Sequence, residues 1–184
     1  MDPNINYKDF CRASVLFSKT PLTAKIQFFS FQVLNNFLPT KSKTISFNPP
    51  ALNAFCDKCL TQGNEIREDT SHFLTKCPDT LIFWDKLLEE EPFKKHFAPF
   101  SPKEIIFGKE FPELSYIASN QLNSVLTLAK HYLWKTRLAS QAYNITAAKF
   151  YINSGLNRLK KNTKSTAFVL GDFMVTTIIN EESP

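Results

Sequence analysis

Glycine is nearly missing from this chain, with four residues in 184. Turn-rich β barrels and sandwiches use glycine freely in their tight connections. Its scarcity beside 18 phenylalanines and 11 prolines points to helices joined by proline-marked loops. No apolar run reaches the ~18 residues that a membrane span requires. No early basic-plus-apolar stretch ends in a cleavage site, so no signal peptide is expected. The expectation is a soluble intracellular protein, nuclear or cytoplasmic, with no membrane partner. The patterns G-x-S-x-G, P-loop and G-x-G-x-x-G are missing, which removes the commonest routes to a nucleophilic serine or a cradled phosphate. No lysine has an Asp or Glu two positions before it. A nuclease of the PD…(D/E)-x-K kind needs that carboxylate to hold its metal. Pro78-Asp79 therefore reads as a helix start with Asp79 as its cap, and no enzyme is expected.

What the chain does have is ordinary core material, at 43% apolar residues. Its length suits one domain over 1–184. Within it we expect an aromatic helix and connection at 20–54, a metal finger at 55–78 and a helical region at 79–184. Charge is uneven. Residues 1–55 hold six Lys/Arg against two Asp/Glu, 56–118 hold eight against twelve, and 119–184 hold eight against three. An acidic centre thus lies between basic ends, a distribution that bears on partners rather than fold.

The fold class expected is mainly α. Thr20-Pro21 reads as an N-cap with Pro at the first helical position. Leu22, Ile26, Phe29, Val33 and Phe37 repeat at helical spacing, and Phe28, Phe31, Leu34 and Leu38 make a second stripe. A helix apolar on two sides is normally buried on two sides, and Pro39 is expected to end it. Residues 40–54 read as an extended connection. A helix follows from Asp79 to Glu90, then a loop from Pro92 to Pro99. Ser101-Pro102-Lys103-Glu104 is a capping box leading into Ile105, Ile106 and Phe107, with Gly108 as the stop. The longest helix is expected from Asn120 to about Tyr143, with Leu122, Val125, Leu126, Ala129 and Leu133 facing the core. Another runs from Ala147 to Lys161, with Phe150, Ile152, Leu156 and Leu159 apolar. Thr166–Asn180 fits a short β-hairpin around Gly171-Asp172 or a final helix.

The sharpest signal is Cys56-x2-Cys59-x12-His72-x4-Cys77. Zinc takes four tetrahedral ligands of thiolate or imidazole type. A C-x-x-C knuckle offers two sulfurs to one ion, Gln62-Gly63-Asn64 signals a turn that folds the chain back, and Glu68-Asp69-Thr70-Ser71 resembles a helix start with acids near the positive end of the dipole. His72 and Cys77 then complete a CCHC set. The first pair and the 12-residue gap match the C2H2-finger spacing, with Cys in place of the last His. The alternative is four unrelated buried residues, since free Cys is often buried. Two disulfides are a further arithmetic option, which a reducing compartment disfavours. A zinc held by three thiolates and a histidine keeps no position for water, so the ion is expected to be structural.

At this point the chain resembles the zinc-binding domain that follows the reverse transcriptase in non-LTR (LINE-type) retrotransposons. The resemblance rests on the aromatic helix Phe28–Leu38 with Pro39-Thr40, then Cys56 and Cys59, then Asp69-Thr70 with His72 and Cys77-Pro78, and Trp84. Ile106-Phe107-Gly108 and the stretch Leu126–Arg137 are similar to the tails of such elements. It covers residues 20–140, and the metal motif is its most specific part. No aromatic-x-Asp-Asp polymerase signature occurs, so the resemblance implies a detached tail. It also implies a part in holding nucleic acid.

The residues carry that second expectation independently. Lys130, Lys135, Arg137, Lys149, Arg158, Lys160, Lys161 and Lys164 outnumber nearby acids, and Tyr132, Trp134, Tyr143 and Tyr151 interleave with them as candidates for stacking on RNA or DNA bases. Lys130 and Arg137, seven apart, would share a helix face, and phosphates reward such a stripe by counterion release. The alternative is a solvated helix face whose aromatics are core. Two functions stay open: a non-enzymatic, zinc-stabilised nucleic-acid-binding module, or a protein-interaction module on the same fold that binds no nucleic acid. An exposed apolar patch would speak for the second. His96 and His131 lack a partner at a readable spacing, and Cys11 lies far from the cluster.

Overall fold

The structure, a computed structural model, describes residues 7–18, 22–45, 47 and 53–162. Helix α8, Tyr116–Leu138, is its axis. Ser115 caps it by accepting the Ala118 amide at 3.3 Å. Every residue from Asn120 to Trp134 is buried, because helices pack against it from several sides. The helix therefore starts four residues before the expected Asn120 and stops well short of Tyr143. Its end is set by Ala139 and by Ser140, which sits in the left-handed region at φ 53°.

Helix α9, Ile145–Asn162, returns along α8. Asn144 starts it, its side-chain oxygen accepting the Ala147 amide at 2.9 Å. Ile152 and Leu156 face the core as expected, whereas Phe150 is exposed. A Cβ placed on Gly155 would lie 2.6 Å from Leu128 Cδ2, so the close approach of α9 to α8 depends on that glycine.

Helix α2, Ala24–Leu34, packs on α8 from another side. Thr23 is its N-cap residue, with its carbonyl accepting from the Ile26 and Gln27 amides; Thr20-Pro21 lies outside the described residues. The helix ends before Pro39 is reached, at Asn35 and the left-handed Asn36 (φ 54°). Leu22, Ile26, Phe29 and Val33 are buried. The expected second buried face is only half there: Leu34 and Leu38 go inward, but Phe28 and Phe31 face solvent, as does Phe37 of the first stripe. The helices that pack on α2 cover the side carrying Ile26, Phe29, Val33 and Leu34 and leave Phe28 and Phe31 bare.

Helix α1, Tyr7–Ser18, was not foreseen; its Ala13 packs with Leu34 and Phe107, joining it to α2 and α7. Helix α3, Lys41–Thr44, adds one turn inside the expected extended connection. Helix α5, Pro78–Glu89, leads into α6, Glu91–Phe97, where a loop had been expected. Proline in a first turn is compatible with helix, and Phe93 and Phe97, four apart, both enter the core. Helix α7, Pro102–Phe107, carries the expected capping box: Ser101 Oγ accepts the Glu104 amide at 3.2 Å and Glu104 Oε2 accepts the Ser101 amide at 2.8 Å. One cluster of buried apolar residues runs from Leu22 through Leu156. No strand forms among the described residues beyond a single bridge, Phe55 to Arg67. The segment Thr166–Asn180, with its expected hairpin, lies outside them.

Lys130 sits inside this core rather than on a surface. Its ammonium donates to the Ile106 carbonyl at 3.3 Å, near the end of α7. Burial lowers its pKa to about 7 from the ordinary 10.5. Between these two values the unfolded chain holds a proton that the folded chain has released. Stability therefore rises with pH across that window, and the penalty is complete below about pH 7. Lys130→Met should unfold at higher temperature than wild type at pH 7, with a gain of roughly 2–3 kcal/mol. That gain should shrink as pH approaches 10.5. Urea unfolding of both proteins across the range checks it; a pH-independent difference would contradict it.

Candidate metal centre

Cys56, Cys59, His72 and Cys77 converge as the spacing predicts. Their ligating atoms lie within 4.8 Å of one another, and all four residues are buried. The knuckle begins with Cys56 at the N-cap of α4, Asp57–Leu60, a single turn that places Cys59 inward. The Thr61–Gly63 turn reverses the chain, with Gly63 at φ 78° supplying the left-handed residue the reversal needs. The strands of this loop are joined by Cys56 N–H to Ile66 O at 2.9 Å and by Glu68 N–H to Ala54 O at 2.9 Å.

The second half is built differently from a plain helix. His72–Lys76 forms a π-turn, closed by the Cys77 amide on the His72 carbonyl at 2.8 Å. Five residues along an ideal α-helix would place Cys77 about 140° around from His72. The wider turn, with Cys77 extended at φ −65° and ψ 128°, swings its sulfur back to the imidazole's side. Asp69 starts this segment, its carboxylate accepting the His72 amide at 2.6 Å. Cys77 itself is the N-cap residue of α5, with Pro78 in the first helical position. Asp79, expected as the cap, thus lies two positions past it, in the first turn of α5.

Cys56 Sγ lies 3.8 Å from Cys77 Sγ, and Cys59 Sγ lies 3.4 Å from His72 Nε2. Disulfide sulfurs sit ~2.05 Å apart, so these are free thiols. Tetrahedral bonds of ~2.3 Å to sulfur and ~2.0–2.1 Å to nitrogen require separations of about 3.8 Å and 3.6 Å. The four residues fit one ion of that size. Without a cation the thiols share protons unequally. A hydrogen bond with Cys77 lowers the Cys56 pKa to about 4. Cys77 is pushed up by that same hydrogen bond and by burial, and Cys59 is pushed up by burial and then by the Cys56 charge. A dication placed among them removes that conflict. Four protein ligands then fill a tetrahedron, which suits a structural ion.

Glu68, read from sequence as an acid at a helix start, is buried and turned inward. Its Oε1 accepts the Lys41 amide at 3.2 Å, and its Oε2 accepts Arg137 Nε at 2.7 Å and also Nη2. Asp57 lies 4.0 Å from Arg137 Nη1 and pairs with Lys41. This network ties the metal loop to α3 and to the C-terminal end of α8. Trp84 adds a second tie, its indole donating to Leu74 O at 2.9 Å, between α5 and the π-turn.

The basic residues named from sequence are dispersed. Lys130 is in the core, and Arg137 serves Glu68, so the two do not form an exposed stripe. Lys149 pairs with Glu90 at 2.7 Å. Lys135 is exposed, with its ammonium 5.2 Å from the Tyr151 ring centroid. Arg158 is exposed. Lys160 and Lys161 lie on α9, and Lys164 is beyond the described residues. Tyr132, Trp134, Tyr143 and Tyr151 belong to or pack on the core, so stacking on bases is not their role. Burial lowers the His131 pKa to about 4, and its Nδ1 lies 2.5 Å from Tyr151 Oη.

Two outcomes follow. Complete chelation, or Cys59→Ser, should lower the melting temperature sharply, because the binding energy of a structural ion is folding energy; an unchanged melting curve after complete chelation would contradict this. Glu68→Gln should cost about 2–3 kcal/mol in urea unfolding, somewhat below the ~3–5 of a fully buried broken pair because Arg137 keeps 15% of its side chain exposed. A loss within error of zero would remove the network from the account.

Comparison with family models, with curated proteins and with solved structures found no match to this chain.

Proposed function

We propose that the chain is a non-enzymatic, zinc-stapled module that binds nucleic acid. Zinc is the ion we assign to the cluster, since three thiolates and an imidazole in a tetrahedron are its preferred set. The observation that carries the reading is the charge distribution: fourteen Lys/Arg against five Asp/Glu in the two ends of the chain, around an acidic centre. On the C-terminal side, Arg158 and Lys135 are exposed, and Lys160 and Lys161 extend α9 in the same basic run. The acidic metal loop is turned toward Arg137 and Lys41, which suits it to holding helices together rather than to meeting phosphate. The resemblance of residues 20–140 to the region after retrotransposon reverse transcriptases supports the same reading.

A protein-interaction module on the same fold is the second reading. The bare phenyl rings on α2 and just after it are the observation that favours it.

Binding to labelled RNA and DNA should be salt-sensitive and should weaken tenfold or more when Arg158, Lys160 and Lys161 are all changed to Glu, with a shallower dependence of log K on log salt. Native and acid-denatured masses of the same preparation should differ by one zinc ion. Failure of the wild-type protein to bind any nucleic acid at modest ionic strength would retire the reading in favour of the second.

A further inference from the structure

Three phenyl rings leave the fold in a row. Phe28, Phe31 and Phe37 are 60%, 51% and 59% exposed. Phe28 and Phe31 are stacked with their planes nearly parallel, 17° apart, and centroids separated by 6.3 Å, and Phe31 and Phe37 are also 6.3 Å apart with a tilt of 59°. The aliphatic residues of the same stretch, Ile26, Val33, Leu34 and Leu38, are all buried. What remains outside is aromatic alone.

The surroundings of the row are of one charge sign. Lys43 places its ammonium 5.7 Å from the Phe37 centroid. Lys25, exposed, lies one turn before Phe28 on the same helix face. From residue 10 to residue 56 the chain contains five Lys/Arg and no Asp or Glu. Sorting of this kind bears on what covers the rings. A docking patch for an apolar protein groove is normally mixed, with aliphatic and aromatic anchors together. Phenyl faces beside ammonium groups are instead the composition of a surface on which unpaired bases stack while lysines meet the backbone phosphates.

We propose that Phe28, Phe31 and Phe37, with Lys25 and Lys43, form a stacking platform for single-stranded polynucleotide. The inference rests on the nucleic-acid reading above and adds a place and a strandedness to it. Bases in a duplex are already stacked on each other and offer no free face, so the platform takes single strands. Phenyl rings carry no hydrogen-bonding atom. They discriminate poorly among bases, and they do not read the 2′-hydroxyl that separates RNA from DNA.

The test uses the full chain with its metal, titrated by fluorescence anisotropy against labelled oligouridylate, oligodeoxythymidylate and a mixed-sequence duplex. Both single strands should bind, the duplex at least tenfold more weakly. Phe28→Ala and Phe31→Ala should each weaken single-strand binding roughly tenfold while leaving the salt slope and the melting temperature unchanged. Phe31→Trp should restore or exceed wild-type affinity. Lys43→Gln should instead reduce the salt slope. If wild type binds both strands and the Phe→Ala variants bind equally well, the platform is refuted while the proposed function stands. Preference for the duplex refutes it too. If wild type binds none of the three probes, both the platform and the proposed function fail, and the row is left to a protein partner.

Discussion

Three sulfur atoms and an imidazole nitrogen lie within 4.8 Å of one another, a donor set that could hold one metal ion. This convergence organises the middle of the molecule. Cys56 and Cys59 come from a knuckle held by one short helical turn, and His72 and Cys77 come from a π-turn. The knuckle half buries little apolar surface of its own, whereas the π-turn sends Phe73 and Leu74 into the main cluster. The loop from Thr61 to Arg67 is exposed throughout. An ion held by all four residues would tie this exposed loop to the buried π-turn, as in other small metal-held units.

From that centre two connections reach the rest of the fold. Cys77 is at once a candidate ligand and the N-cap residue of α5, so the cluster and the start of that helix share one residue. Phe83, Trp84 and Leu87 on that helix then enter the main cluster. Glu68 makes the other connection, through Arg137, to the end of α8. An anion buried this deeply is tolerated because a guanidinium and a backbone amide meet it directly. Two acids of the central segment are used inside the fold, Asp57 facing Lys41 and Glu68 facing Arg137, so part of the charge of the two ends is spent on holding this segment in place.

How far the sequence could be read follows the range of the interaction concerned. The metal set was readable because its pairs are local and its gap carries its own turn at Gly63. The capping box at Ser101 and Glu104 was readable for the same reason, both partners lying within four residues. The core stripe of α8 held at every position expected of it, from Leu122 to Leu133. Failures came where a distant partner decides. Lys130 looks like a surface cation at helical spacing from Arg137, but the neighbours that bury it come from other parts of the chain. Phe28 and Phe31 look like a second core face, and only the placement of the helices that pack on α2 shows that they are not. The π-turn at His72–Lys76 has no propensity signal; the demand that His72 and Cys77 reach one point is the clue that was present. Glu68 and Asp69 are adjacent acids, and nothing local says which one caps and which one turns inward.

The metal centre is the claim on which the others depend, and X-ray absorption at the zinc edge of the purified protein addresses it directly. The account predicts one zinc with a first shell of three sulfurs at ~2.3 Å and one nitrogen at ~2.0–2.1 Å, with no oxygen scatterer. A protein without bound metal, or a first shell containing a water oxygen or fewer than three sulfurs, would contradict it.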